Sequence, residues 1–170
     1  LTKKFNNVEA HTLSLDKLFE TFSWTLDKFD NEHGFANSRA RLRMTTLYQV
    51  AAANSGIVVG TGNKVEDFGV GFYTKYGDGG VDISPIADCN KTEVWELGKE
   101  LGILKEIINA PPTDGLWDDG RTDEGQLGFK YSELEEAMAN PNSPHRDQYE
   151  KIRNQNLHKM EPIPVCKIPS

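Results

Sequence analysis

The stretch that decides the fold is residues 57–82, IVVGTGNKVEDFGVGFYTKYGDGGVD. It opens with Ile57–Gly60, a short, apolar and β-branched segment between two helical patterns. Such a segment is typical of a parallel strand that is buried on both faces. Because the ligands of open α/β sheets bind beyond the carboxyl ends of the strands, we expect a ligand site from Thr61 to Asp67.

Upstream of this strand, apolar residues recur at helical spacing in two segments. The first begins at Ser14, a candidate N-cap, and Gly34 breaks its pattern. Asn37-Ser38 is predicted to cap the second, which ends at Asn54–Gly56 with Gly56 in the left-handed conformation. Before both helices, Val8–Leu13 alternates in polarity and is a candidate strand.

Downstream of the strand, the pattern predicts a glycine-rich loop and then short helices. Five glycines make Gly69–Gly80 loop-rich, and Asn90–Glu93 resembles a capping box that opens a helix closed by Gly102. Further helices are expected within Ile103–Asn109, from Ser132, and from Ser143-Pro144 through about Leu157. The predicted fold is therefore α/β, an open parallel sheet flanked by helices in a single domain over 1–170, in which 143–170 form a terminal helix and a proline-containing tail.

Composition narrows the classes of protein. The chain has 170 residues, a net charge of −7 and a mean hydropathy of −0.57. No window approaches the roughly 18 apolar residues that a transmembrane helix needs, so we expect no membrane partner. The acidic balance argues against nucleic acid as a partner. Cys89 and Cys166 are too few for a disulfide framework or a zinc site, and we expect a cytoplasmic protein.

Three polar residues after the strand fit a nucleotide site. Thr61 follows the strand directly, and Glu66 is a carboxylate that can hold Mg²⁺, which takes oxygen ligands and shares itself with phosphates. Lys91 lies in the first turn of a helix, where a cation opposes the helix dipole unless an anion is near. The alternatives at this point are a surface carboxylate at Glu66 and a solvated lysine at Lys91.

Further basic residues are candidate contacts for an anionic ligand. Arg41 alternates with two other arginines at a helix start, so the three point in different directions. Lys75 and Asp82 flank a glycine-rich turn, and His158-Lys159 lie near the C-terminus. Each has a plainer interpretation: a solvated basic helix end, a hairpin without function, and the end of a flexible polar tail.

Together, several motifs resemble the ammonia-dependent NAD synthetases, in that family's order and at its spacing. They are RARLRM (39–44), VGTGNKVED (59–67), YTKYGDGGVD (73–82), NKTE (90–93), Pro112-Thr113, DEGQLG (123–128) and His158-Lys159. The resemblance implies a Rossmann-like fold of the adenine nucleotide α-hydrolase type and a homodimer. It also implies that deamido-NAD is activated by ATP as an acyl-adenylate, which ammonia attacks to give NAD, AMP and pyrophosphate.

The resemblance further assigns roles to individual residues. It assigns ATP contacts to Thr61, Lys91 and Thr113, and Mg²⁺ binding to Glu66. It assigns contacts with deamido-NAD to Arg41, Lys75, Asp82, His158 and Lys159. No protein nucleophile is expected, because such catalysis consists of positioning and charge neutralisation.

One feature of the family is missing from these residues. Its Ser-Gly-Gly-x-Asp-Ser loop, whose backbone N–H groups hold pyrophosphate, has no counterpart here. We therefore expect an incomplete domain, roughly the C-terminal two thirds, that is inactive alone. A non-catalytic nucleotide-binding or dimerisation module derived from the family is the alternative. A related ATP pyrophosphatase with another substrate fits less well, because the 75–82 segment resembles the deamido-NAD site.

Overall fold

The computed structural model describes residues 2–3, 5–117 and 119–168. In these ranges the chain forms seven α-helices: α1 Asp16–Thr25, α2 Glu32–Ala53, α3 Lys91–Glu100, α4 Lys105–Ile108, α5 Asp123–Leu127, α6 Tyr131–Ala139 and α7 Arg146–Met160. A 3₁₀-helix, Asp27–Phe29, follows α1, and a π-helix, Val65–Val70, lies between α2 and α3. None of the helices in the described ranges is long and apolar enough to cross a membrane.

The two long N-terminal helices begin at other residues than the sequence predicts. Leu15, not Ser14, is the N-cap of α1, and the Ser14 hydroxyl donates to Asp16 at 2.7 Å. Asn31 caps α2, six residues before the predicted Asn37, and its Oδ1 accepts from the backbone N–H of Gly34 at 2.7 Å. Because this bond satisfies a free donor of the first turn, Gly34 lies inside the helix instead of breaking it.

The end of α2 lies where it is predicted, but a different residue takes the left-handed conformation. Ser55 has φ 53°, whereas Gly56 does not have a positive φ. The backbone N–H of Gly56 donates to Ala51 at 2.8 Å and that of Ser55 to Ala52 at 3.3 Å. These two bonds form a Schellman motif around Ser55.

The predicted sheet is reduced to one bridge. Val59 pairs with Ile83 in a parallel β-bridge, and no other strand pairing exists in the described residues. The strand predicted at Val8–Leu13 is wrong, because those residues have no regular structure. Ile57, Val59 and Ile83 are exposed, although the sequence predicts a strand buried on both faces.

The core lies between the π-helix, α6 and α7. Val65 and Val70 of the π-helix pack with Leu134 and Tyr149, and all four are buried. Gly71, with φ +65°, ends the π-helix, and the backbone N–H of Phe72 donates to Glu66 at 2.9 Å. This packing fixes the segment that follows Thr61.

The part of the chain from Asn90 onward agrees with the sequence in part. The capping box at Asn90 is present, and Gly102 ends α3 with φ +65°. Helix α5 was not predicted. Helix α7 begins at Arg146 instead of Ser143-Pro144, and residues 161–168 follow it without regular structure.

Candidate functional site

A pocket of about 410 Å³ opens beyond Val59, at the position where the sequence predicts a ligand site. The π-helix, the start of α3, the 110–114 loop and α5 all contribute to it. Four predicted site residues line it together: Thr61, Glu66, Lys91 and Thr113. A larger cleft of about 620 Å³, lined by α1, α2, Trp117, Asp119 and Arg121, contains none of the predicted site residues.

Glu66 and Lys91 form an ion pair at the wall of this pocket. Lys91 Nζ lies 2.8 Å from Glu66 Oε1, and the two side chains are only 19% and 15% exposed. The face of the Tyr131 ring lies 4.9 Å from Nζ. The anion that offsets the position of Lys91 at the start of α3 is therefore a residue of this chain. Glu66 is not a surface carboxylate.

The two threonines reach the pocket from different segments of the chain. Thr61 is exposed directly after the β-bridge. The Thr113 hydroxyl donates to the backbone carbonyl of Arg121 at 3.1 Å and accepts from the N–H of Gly115 at 3.3 Å. The second threonine is thus held by the loop that follows it.

Four of the predicted deamido-NAD residues lie together beside the pocket. Lys75 Nζ donates to the backbone carbonyl of His158, and Arg41 Nε donates to that of Lys75 at 3.2 Å. Lys159 Nζ donates to the carbonyls of Gly71 and Tyr73, at 2.8 Å each. His158 and Lys159 belong to α7 and not to a flexible tail.

Asp82, the fifth predicted deamido-NAD residue, lies elsewhere. Its Oδ2 accepts from the backbone N–H of Val58 at 2.7 Å, and its Oδ1 accepts from the Tyr48 hydroxyl at 3.2 Å. It joins the two halves of the β-bridge and α2. In this structure the carboxylate of Asp82 stabilises the fold around the bridge.

One residue of the second group, Lys159, opens on a neighbouring cavity. This small cavity of about 120 Å³ shares Phe72, Tyr73, Asp78 and Asp114 with the larger pocket. A ligand that spans both cavities therefore contacts the first group of residues and Lys159.

The pocket is strongly acidic. Burial raises the pKa of Asp67 from 3.8 to about 6, and the charges of Glu66 and Asp78 add to the effect. Burial also raises the pKa of Asp78 and lowers that of Lys159, whose decrease is opposed by Asp78. The carboxylates outnumber the cations around the pocket, so its potential favours a bound cation.

Sequence reasoning missed four residues of the site: Asp67, Asp78, Asp123 and Tyr131. The two aspartates at 67 and 78 lie within motifs that carry the resemblance, so the composition of those motifs was their signal. Asp123 opens the motif DEGQLG in the same way. Tyr131 has no sequence signal, because only the packing of α6 brings its hydroxyl to Glu66.

A metal ion in this pocket would need ligands beyond the protein. In the described ranges, no group of three or more His, Cys, Asp or Glu side chains could hold a metal ion. Glu66 Oε2 has one contact, the N–H of Asn63 at 3.4 Å, so one carboxylate oxygen is available. One carboxylate completed by phosphates and water is a common Mg²⁺ arrangement.

Comparisons with known proteins identify the family of the chain. A family model described as NAD synthase matches residues 1–168. The NH(3)-dependent NAD(+) synthetase of Alkaliphilus oremlandii is 45% identical over 135 residues, which cover 78% of this chain and 53% of that protein. The enzyme of the same name from Syntrophomonas wolfei is 38% identical over 99% of this chain and 70% of its own length.

A solved structure is similar as well. The structure of NMN synthetase from Francisella tularensis has a TM-score of 0.88 and 33% identity, over 95% of this chain and 68% of that chain. The fold is thus of the α/β class. The chain spans about half the length of the Alkaliphilus relative, at 53%. With nearly every residue matched by the family model, the chain belongs to the NAD synthase family.

Proposed function

We propose that this chain supplies the ATP pocket of an ammonia-dependent NAD synthetase. The complete enzyme is a ligase of NAD biosynthesis that activates the nicotinate carboxylate of deamido-NAD with ATP. Ammonia then displaces AMP from the acyl-adenylate, and pyrophosphate is the other product. The observation that carries the proposal is the convergence of Thr61, Glu66, Lys91 and Thr113 on one pocket.

The roles proposed for these residues follow from their chemistry. Lys91 neutralises phosphate charge, and the hydroxyl of Thr61 donates to a phosphate oxygen. Thr113 donates in the same way once its hydroxyl turns from the carbonyl of Arg121 to the ligand. Glu66 is the residue that would hold Mg²⁺, through Oε2, and the bound ion would supply charge neutralisation to the pyrophosphate. The residues of this chain thus bind and orient, and none acts as a nucleophile.

The neighbouring cluster is proposed to bind the dinucleotide. Arg41 donates to the backbone of Lys75, and Lys75 donates to that of His158. The neighbouring Lys159 lines the cavity that adjoins the ATP pocket. Three of the four have basic side chains, which suit the phosphates and carboxylate of deamido-NAD. Asp82 contributes on the same proposal by holding the β-bridge from which the 73–80 loop departs.

A second candidate substrate is nicotinate mononucleotide. The similarity to an NMN synthetase, with a TM-score of 0.88, favours it. Both reactions amidate the same nicotinate carboxylate, so they place the same demands on Glu66 and Lys91. They differ in the size of the substrate, because only deamido-NAD has an adenylate half that the site must accommodate.

We further propose that the chain is part of a larger cytoplasmic homodimer, in which an open parallel sheet is completed. The exposed apolar residues Ile57, Val59 and Ile83 lie at the β-bridge, where further strands would bury them. The pyrophosphate-binding loop of the family would lie on one such strand. The alternative is a non-catalytic nucleotide-binding or dimerisation module.

Amide formation tests the proposal. The chain, and the same chain with the upstream part of the parent protein restored, are given ATP, Mg²⁺ and ammonium with either deamido-NAD or nicotinate mononucleotide. Product from the restored protein only, with deamido-NAD preferred, is expected. Preference for the mononucleotide would select the second candidate, and product from the chain alone would refute the idea of an incomplete site. No product from either protein would favour the non-catalytic module.

A further inference from the structure

Behind the Glu66–Lys91 pair, Tyr131 and Asp123 form a row of hydrogen-bonded side chains to which the proposed function gives no role. Tyr131, the first residue of α6, is 1% exposed. Its hydroxyl lies 2.7 Å from Glu66 Oε1 and 3.1 Å from Asp123 Oδ2. Asp123, the first residue of α5, is 7% exposed, and its Oδ1 has no hydrogen-bond partner in the described part of the chain.

The number of protons that Tyr131, Glu66 and Asp123 share decides which atom donates in each of the two hydrogen bonds. A phenol carries one proton, so Tyr131 can donate to only one of the two carboxyl groups. The shorter contact identifies Glu66 as the acceptor. If Asp123 were ionised, its Oδ2 would face a lone pair of the phenol, and its Oδ1 would be a buried anionic oxygen without a donor.

A proton on Asp123 removes both difficulties. Its Oδ2–H then donates to the phenol oxygen, and Oδ1 becomes a neutral carbonyl oxygen, which is less costly to bury. Burial raises the pKa of Asp123, and the charges of Glu66 and Asp114 act in the same direction. The Tyr131 hydrogen bond and Lys91 oppose this increase.

We propose that Asp123 and Tyr131 are positioning residues: a protonated Asp123 donates to Tyr131, and Tyr131 donates to Glu66. Oε1 of Glu66 then accepts from both Tyr131 and Lys91, at 2.7 and 2.8 Å. Oε2 is left as the oxygen that a cation in the pocket can reach. The inference rests on the proposed function only for the identity of that cation.

Infrared difference spectroscopy of this chain at neutral pH tests the proton directly. A protonated carboxyl has a C=O stretch that ionised carboxylates lack. We expect that band in the wild-type chain and its loss in Asp123→Asn, whose amide can still donate to Tyr131. The control Asp67→Asn should keep the band. Absence of the band, or its persistence in the double variant Asp67→Asn/Asp123→Asn, would overturn the proposal.

Binding of a non-hydrolysable ATP analogue, measured by calorimetry with and without Mg²⁺, tests the positioning role. Tyr131→Phe keeps the ring in the core but removes the bond to a charged group, so the Mg²⁺-dependent gain in affinity should fall roughly 10- to 100-fold. Tyr149→Phe, which changes another buried tyrosine of the same core, should not alter it. An equal loss with and without Mg²⁺ would mean a merely structural role and refute the positioning claim.

The same calorimetric measurement distinguishes whether Asp123 is a positioning residue or a ligand of the cation. Asp123→Asn should retain the Mg²⁺-dependent gain, whereas a ligand carboxylate changed to an amide would lose it. Loss of the Mg²⁺-dependent gain in Asp123→Asn would contradict the proposal that Asp123 is protonated. If the chain binds no analogue at all, the proposed function fails for the isolated chain, and the infrared band still decides the protonation of Asp123.

Discussion

Replacing Lys91 by Met is expected to lower the free energy of unfolding, because the carboxylate of Glu66 then stays buried without its cation. Lys91 Nζ is 2.8 Å from Glu66 Oε1, and both side chains are mostly buried. Removing one partner of a fully buried pair costs roughly 3–5 kcal/mol, because the other charge stays desolvated. Tyr131 still donates to Glu66 in the variant, and the pair keeps some exposure, so we expect about 2–3 kcal/mol.

The measurement is urea unfolding followed by tryptophan fluorescence, together with thermal unfolding. For a chain of this size, a loss of that magnitude lowers Tm by roughly 5–10 °C. Lys64→Met is the matched control, since Lys64 pairs with Asp88 at 3.0 Å but the side chains are 43% and 99% exposed. That variant should change the free energy of unfolding by less than about 1 kcal/mol.

The double variant Lys91→Met/Glu66→Gln identifies the cause. With the carboxylate neutralised, the charge that Lys91 compensated is gone. The double variant should therefore recover about half of the lost stability or more. Equal effects of Lys91→Met and Lys64→Met, or a double variant less stable than Lys91→Met, would refute the argument from the buried pair.

Three further predictions concern the free energy of unfolding in urea. Gly62→Ala places a Cβ 2.2 Å from Asp67 Oδ1 and should cost roughly 1–3 kcal/mol, a loss that Gly62→Ala/Asp67→Ala should relieve; an unchanged loss in the double variant would contradict it. Because the pKa of Asp67 is raised from 3.8 to about 6 in the folded chain, its stabilising contribution is complete below about pH 4 and is lost as pH rises through about 6. After a discount for partial exposure, the free energy of unfolding should fall by about 1–2 kcal/mol over this pH range, and Asp67→Asn should remove this pH dependence. Leu134→Ala, at a fully buried position, should cost roughly 2–5 kcal/mol, and Leu101→Ala, at an exposed one, less than about 0.5; similar costs would contradict the assignment of the core.

Local signals in the sequence were read correctly where the interaction itself is local. The capping box forms because Glu93 is three residues from Asn90, and its carboxylate accepts from the Asn90 backbone N–H at 2.6 Å. Gly102 ends α3 because a glycine adopts a positive φ, here +65°, without steric cost. The start of α2 was missed because Asn31 supplies a cap early enough to offset the cost of Gly34 in a helix, about 1 kcal/mol.

Features that depend on distant residues could not be predicted in this way. A strand needs partners, and the apolar run Ile57–Gly60 finds only Ile83 in the described residues. The π-helix depends on its packing against Leu134 of α6 and Tyr149 of α7, which are distant in the sequence. In the site, the motifs indicated Glu66 and Lys91, but nothing in the sequence indicates that Tyr131 lies behind them.

We propose that the pocket serves an ATP-dependent activation of a nicotinate carboxylate. The most direct test of this activation follows ¹⁸O from the labelled carboxylate of deamido-NAD in the complete enzyme, with the products analysed by mass spectrometry. Because an acyl-adenylate transfers one carboxylate oxygen to AMP, we expect one ¹⁸O in each AMP, formed at equal rate with NAD and slowed in Lys91→Met. Unlabelled AMP, or formation of ADP with labelled phosphate, would contradict it.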